Sequence, residues 1–208
     1  MADYTFFTNP MSRGQIARWA LHEAGADYDQ VLVDWKNKPA ALLSANAMAK
    51  VPTLVHHAED RDRTISEGAA ICLYLAEMHP EARLLPNDGE MADYYRWVFF
   101  AAGPIEQAIT SRALKFEPGP EQEMMAGWGN FDRAIGAIEE KLAEDDWICG
   151  TRFTMGDVYV GSQIDWGMTF GLIPPLPSLV AYAERCQQRP AYQAAKGIDA
   201  RLIDEMKK

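Results

Sequence analysis

Residues 46–75 read NAMAKVPTLVHHAEDRDRTISEGAAICLYL, and the order of features in this stretch decides the fold. A polar turn and Pro52 lead into a short apolar run. A charged tip follows at Glu59 to Asp62, and small residues then open a helix. Pro52 has no N–H to give to a ladder, so it suits only the first position or the edge of a strand. Val51 before it is pushed toward an extended conformation. Its N–H and C=O become candidates for gripping something peptide-like from outside. Thr53 to His57 reads as one strand and Arg63 to Ile65 as the next, with a solvated hairpin tip between them. Ser66 reads as the N-cap of a helix reaching Met78, so the amides of Glu67 and Gly68 have no partner in that helix. A helix start of this kind, with no bulky side chain at Gly68, receives a carboxylate well.

Outward from this stretch the chain divides in two. On its N-terminal side, Tyr4 to Phe7 reads as a strand and Thr8 to Met11 as a turn. Ser12 reads as the cap of a helix whose buried stripe is Ile16, Ala17, Ala20 and Leu21. Gly25 is a stop signal, Tyr28 to Val33 a second strand, and a short helix runs through Leu43 after the loop Asp34 to Pro39. The order is βαβ, a hairpin and a helix, which gives a small mixed sheet with helices on its faces.

On the C-terminal side, His79 to Glu90 carries two prolines and an Asn-Asp-Gly turn and reads as a linker. No strand-like alternation returns after it. Helices are expected at Met91 to Leu114, Glu121 to Leu142, Thr154 to Phe170, Ser178 to Arg189 and Ala191 to Met206. The expected organisation is therefore an α/β domain over 1–81, a linker over 82–90 and an all-α domain over 91–208. Thr154 followed by Asp157 is a reciprocal capping signature at the start of one of these helices.

Composition narrows the function. The chain has 208 residues, 48% apolar, with 20 basic and 30 acidic side chains and a formal net charge of -10. An acidic surface of this kind argues against nucleic acid and anionic membrane as partners. The N-terminus lacks a basic region leading into a long apolar run, and no stretch is long and apolar enough to cross a bilayer, so a cytoplasmic protein is expected. Cys72, Cys149 and Cys186 are far apart and odd in number, which fits buried thiols in a reducing compartment. Neither they nor His22, His56, His57 and His79 form a metal pattern, and no metal is expected. The adjacent His56 and His57 should point to opposite faces of a strand.

Asn46-Ala-Met-Ala-Lys-Val-Pro52 resembles the Asn-Pro-x-Gly-Lys-Val-Pro segment of the cytosolic glutathione transferases, and Glu67-Gly-Ala-Ala-Ile71 resembles their Glu-Ser-x-Ala-Ile. The resemblance covers essentially the whole chain and points to a bacterial member of serine, theta or beta type. It implies a thioredoxin-like domain that holds glutathione, followed by an all-helical domain that shapes a hydrophobic substrate site. It implies glutathione as co-substrate, a small hydrophobic electrophile as the second substrate, and a homodimer closing the glutathione end, with Met91 to Ala102 as an apolar and aromatic contact surface. A glutathione-dependent disulfide or peroxide reductase and a non-catalytic glutathione-binding protein are the alternatives. No cysteine lies between Thr8 and Arg13, so a reductase of this type would have to use bound glutathione itself as the attacking thiol.

The same resemblance assigns roles to residues. A hydroxyl or thiol near the end of the first strand activates the glutathione sulfur by stabilising its thiolate. Aligning Phe6-Phe7 with members that carry a cysteine selects Ser12. Aligning Pro10 with members that have Ser-Pro or Cys-Pro selects Asn9, and the Ser-x-Pro of theta-like members selects Thr8. Arg13 either answers an anionic part of the ligand or faces solvent. Lys50 matches a basic residue that contacts the glycyl carboxylate, Val51 pairs through its backbone with the cysteinyl amide, and Pro52 is cis. Glu67 and Gly68 hold the γ-glutamyl end, Trp35 borders the glycyl end, and Glu106 reaches toward the γ-glutamyl ammonium.

Overall fold

The computed structural model describes residues 2–207, which form two compact units: residues 2–84 with 188–207, and residues 85–187. In the first unit a four-stranded sheet has the order β2-β1-β3-β4. Its strands are β1 (Tyr4–Thr8), β2 (Tyr28–Leu32), β3 (Thr53–His57) and β4 (Asp62–Ser66). β1 pairs parallel with β2 and antiparallel with β3, and β3 pairs antiparallel with β4. The parallel pair needs a crossover, supplied by α1 (Gly14–Ala24). That helix ends at Gly25, whose φ of 66° lets its N–H reach the His22 carbonyl while Ala26 N–H reaches Leu21.

Burial follows the strand period of two. Tyr4, Phe6 and Thr8 share one sheet face, while Phe7 on the other packs with Val33 and Leu42 of α2 (Ala40–Ala45). Ile16, Ala17, Ala20 and Leu21 of α1 are buried at helical spacing, as are Ile71, Cys72 and Leu75 of α3 (Gly68–Met78). The three cysteines are buried thiols outside any disulfide. His56 pairs with the Tyr74 hydroxyl at 2.7 Å and His57 with the Thr5 hydroxyl at 2.8 Å, on opposite faces of β3.

The last helix, α9 (Pro190–Met206), packs with this unit, whereas the sequence grouped it with the helical region. Its buried Tyr192, Ala195 and Asp199 meet α1 directly. Tyr192 lies edge-on to Trp19 with centroids 5.0 Å apart, and Asp199 accepts from Arg18 Nε at 2.9 Å. The Arg18 and Asp199 side chains are 0% and 2% exposed, so the pair is sealed from water. Burial pushes the Asp199 carboxyl above its ordinary value although Arg18 pulls the other way.

The second unit is helical: α4 (Met91–Phe100), a π-helical turn Ala101–Ile105 containing Pro104, α5 (Glu106–Ala113), α6 (Phe131–Glu144), α7 (Met155–Thr169) and α8 (Pro177–Gln187). The helix expected from Glu121 begins only at Phe131. Gly129 stands at φ 67° and Asn130 caps the next turn by accepting from Arg133 N–H, so residues 121–130 form turns instead. α7 is buried along most of its length and begins with the expected capping box between Thr154 and Asp157.

Candidate functional site

One end of the sheet collects three chain segments by register alone. Phe7 pairs with Thr53 and Thr53 with Ser66. The next residue along each strand therefore puts Thr8, Pro52 and Glu67 side by side at the same end. Val33 N–H donates to the Thr8 carbonyl at 2.8 Å, which brings the start of the loop carrying the half-exposed Trp35 to this end as well.

The middle segment is a turn built to hold Val51 apart. The Val51–Pro52 peptide is cis. The Asn46 side-chain amide donates to the Lys50 carbonyl and to the Thr53 hydroxyl, which itself donates to the Lys50 carbonyl at 2.8 Å. Ala49 N–H donates to the Asn46 carbonyl, and Lys38 Nζ to the Ala49 carbonyl. Neither the N–H nor the C=O of Val51 takes part in these closing bonds. Asn46 and Lys38 are the supports that the sequence did not assign. Asn46 stood in the quoted motif; Lys38 carried no signal. Ala49 holds φ 50°, a region that favours glycine. Lys50 is exposed beside it.

The third segment is the start of α3. Ser66 does not cap it: Ser66 is the last residue of β4, and the N-cap position belongs to Glu67 at φ 71° with no side-chain cap bond. The first helical bond runs from Ile71 N–H to the Glu67 carbonyl, leaving the amides of Gly68, Ala69 and Ala70 ahead of the ladder. These amides and the helix dipole favour an anion there. Glu67 itself is exposed.

The end of β1 presents three polar side chains in very different states. Asn9 is spent: its amide donates to the Val33 carbonyl and its oxygen accepts from Met11 N–H, both at 2.9 Å. Ser12 is half-buried, and its hydroxyl donates to the Asn9 carbonyl at 2.6 Å while accepting from Gly14 N–H at 2.9 Å. Thr8 is fully buried, and its hydroxyl has no hydrogen-bond partner. A side chain at Gly14 would come within 2.1 Å of Thr8 Oγ1 and 3.0 Å of Ser12 Oγ, so only glycine leaves room for both hydroxyls. Arg13 is exposed at the N-cap position of α1. Glu106 belongs to the second unit, where it opens α5 and accepts from the Thr110 hydroxyl at 3.4 Å. Among the described residues, no group of three or more His, Cys, Asp or Glu side chains is arranged to hold a metal.

Two family models match the sequence that builds this sheet end and the helical unit after it. The Glutathione S-transferase N-terminal domain matches residues 2–77, and the Glutathione S-transferase C-terminal domain matches residues 94–190. The chain belongs to the cytosolic glutathione transferase family. Its general function is accordingly glutathione-transferase-like. Among curated relatives, Glutathione S-transferase GstA of Escherichia coli O157:H7 is 27% identical over 91% of this chain and 95% of its own length. Maleylacetoacetate isomerase of Pseudomonas aeruginosa is 26% identical over 92% and 93%. Among solved structures, a glutathione transferase from Methylococcus capsulatus superposes with a TM-score of 0.77 at 27% identity, covering 95% of this chain and 98% of its own. A sphingomonad glutathione S-transferase complexed with glutathione gives 0.74 at 28%, covering 94% and 98%.

Proposed function

We propose that this sheet end binds glutathione and that the chain, a cytoplasmic homodimer, conjugates it to small hydrophobic electrophiles. The observation that carries the reading is the meeting, in one register, of the unengaged Val51 backbone, the uncapped first turn of α3 and the hydroxyls at the end of β1. In this reading Val51 pairs through its backbone with the cysteinyl amide beside Pro52. The amides at Gly68 receive the γ-glutamyl carboxylate, and the carboxylate of Glu67 answers the ammonium. Lys50, with Trp35 alongside, takes the glycyl carboxylate, and Arg13 adds positive charge near the α1 start. Ser12 is the hydroxyl that meets the sulfur, because it is the one that is both half-exposed and free to redirect a proton. Asn9 is committed and Thr8 is enclosed. The thiol loses its proton to solvent, Ser12 steadies the thiolate, and sulfur forms a bond to the electrophilic carbon as the leaving group departs with its electron pair.

The exposed side chains of Met91, Tyr95 and Phe99 recur at spacing four on α4 and form the face on which a second copy would close. Sedimentation at micromolar concentration tests this, and a species near 23.3 kDa alone would remove the dimer. Calorimetric titration with reduced glutathione tests the site. Gly68→Val should weaken binding by roughly tenfold, or ~1.4 kcal/mol, with little change in melting temperature, because the β-branched side chain crowds the carboxylate at a tolerant helix start. Equal affinity in both proteins would sink the anion cradle. Binding without turnover of an activated aryl chloride would leave a glutathione-binding protein, and turnover of a mixed disulfide alone would make the chain a reductase.

A further inference from the structure

Thr8 presents a cost without a visible return. Its hydroxyl is buried and unpartnered, in an interior where nearly every buried polar group finds a partner. Valine would fill the same space without the stranded O–H. Beside it Ser12 commits its one proton to the Asn9 carbonyl and one of its two lone pairs to Gly14 N–H. Both hydroxyls border the hollow left by the missing side chain of Gly14. Thr8 is too enclosed to touch a ligand; Ser12 is not.

We propose that Thr8 is a positioning residue that acts through Ser12. The proposal rests on the reading of this sheet end as the glutathione site. When Ser12 turns its proton from the Asn9 carbonyl to the glutathione sulfur, its oxygen keeps the bond from Gly14 N–H and has one lone pair left. The Thr8 hydroxyl turns to donate into that lone pair. One bond to the Asn9 carbonyl is lost, one from Thr8 is gained, and the bond to sulfur is added. A hydroxyl that accepts a hydrogen bond is a better donor, so the chain Thr8 to Ser12 to sulfur strengthens the contact that holds the thiolate. The Thr8 hydroxyl lacks a partner in the ligand-free geometry, where the Ser12 proton points to the Asn9 carbonyl, and gains one when that proton turns.

The test is ultraviolet titration of the bound glutathione thiol, with turnover and thermal melting, in the parent and in Thr8→Val, Thr8→Ser, Ser12→Ala and the double variant Thr8→Val/Ser12→Ala. Thr8→Val should melt at or above the parent temperature, since it removes a stranded hydroxyl. It should still raise the bound-thiol pKa by roughly half a unit, about threefold in thiolate, with KM little changed. Thr8→Ser should restore the parent titration. In the Ser12→Ala background, Thr8→Val should shift the thiol no further. An unshifted titration in Thr8→Val, an equal shift with and without Ser12, or a clear drop in melting temperature would each overturn the proposal. A parent that binds no glutathione by calorimetry would instead overturn the site reading, and the proposal with it.

Discussion

Ala49 and Glu67 both sit at positive φ, 50° and 71°, where a side chain costs of order 1–3 kcal/mol that the surroundings must supply. They flank Pro52 and open α3, so the strained residues fall on the two backbone segments proposed to grip glutathione. Charge is distributed as selectively as strain. Burial first, and the Arg63 charge second, hold the His56 imidazole below its ordinary value. His22 moves the same way, through burial and then Arg18. The unfolded chain takes up such a proton from about pH 6.5 downward, and the folded chain resists. Stability from neutral His56 is therefore intact above that pH and drains away as the pH falls through the folded value. His56→Gln should remove part of this slope. Urea unfolding at about pH 7.5 and 5.5 should show the parent losing more stability on acidification than the variant does. Parallel losses in both proteins would mean that His56 does not report on acid sensitivity.

Elements were legible in the sequence where local chemistry spoke alone. The Thr154 to Asp157 capping box is one case. Asp157 Oδ2 accepts from Thr154 N–H at 2.8 Å and from the Thr154 hydroxyl at 3.0 Å, while Oδ1 accepts from Ile148 N–H and the Tyr182 hydroxyl. Burial nevertheless pushes its carboxyl up to about 6 against those bonds. Asp157→Ala would strand all four donors, and a cost of about 3–5 kcal/mol follows from breaking a buried charged network. Chemical denaturation should show it, and a loss below about 1 kcal/mol would mean the network is dispensable. The cis state of Pro52, by contrast, came from the family resemblance of Asn46 to Pro52 and not from local chemistry. Ser66 was misread because a strand ladder outbid its capping tendency: its backbone pairs with Thr53, and the turn into α3 falls one residue later. Residues 121–130 were misread because helix-favouring Glu, Gln and Met outweighed Gly127, Gly129 and Asn130, whose turn geometry won. The state of Thr8 could not be read at all, since an unpaired hydroxyl is a property of what surrounds it.

At the scale of the whole chain, the largest departure from a linear reading is that α9 returns to the first unit. Periodicity alone marks Ala191 to Met206 as a helix, but not the surface it covers. The deciding residues are polar and far apart in sequence: Arg18 is fully enclosed, lies 5.3 Å from the Phe6 ring centroid, donates to Tyr28 and Gln30, and meets Asp199. Arg189 and Glu23 add a second pair through both guanidinium donors, at 2.6 and 2.7 Å. Ending the chain after Gln187 would therefore take the Asp199 partner from Arg18 and open its guanidinium to water. It would also uncover Trp19, where each buried apolar side chain is worth roughly 1.5–3 kcal/mol. Such a loss is a sizeable share of the 5–15 kcal/mol on the order of which a whole domain is stable. Hydrogen exchange on the truncated protein should show the amides of α1 and β1 losing protection, while α7, held by Asp157, Tyr182 and Ile148 within its own unit, keeps its own. The companion Asp199→Ala should destabilise more than the double replacement Arg18→Met with Asp199→Leu, because only the single change strands a buried charge. If α1 keeps its protection without α9, or if the double replacement is the worse of the two, the pair does not anchor the helix.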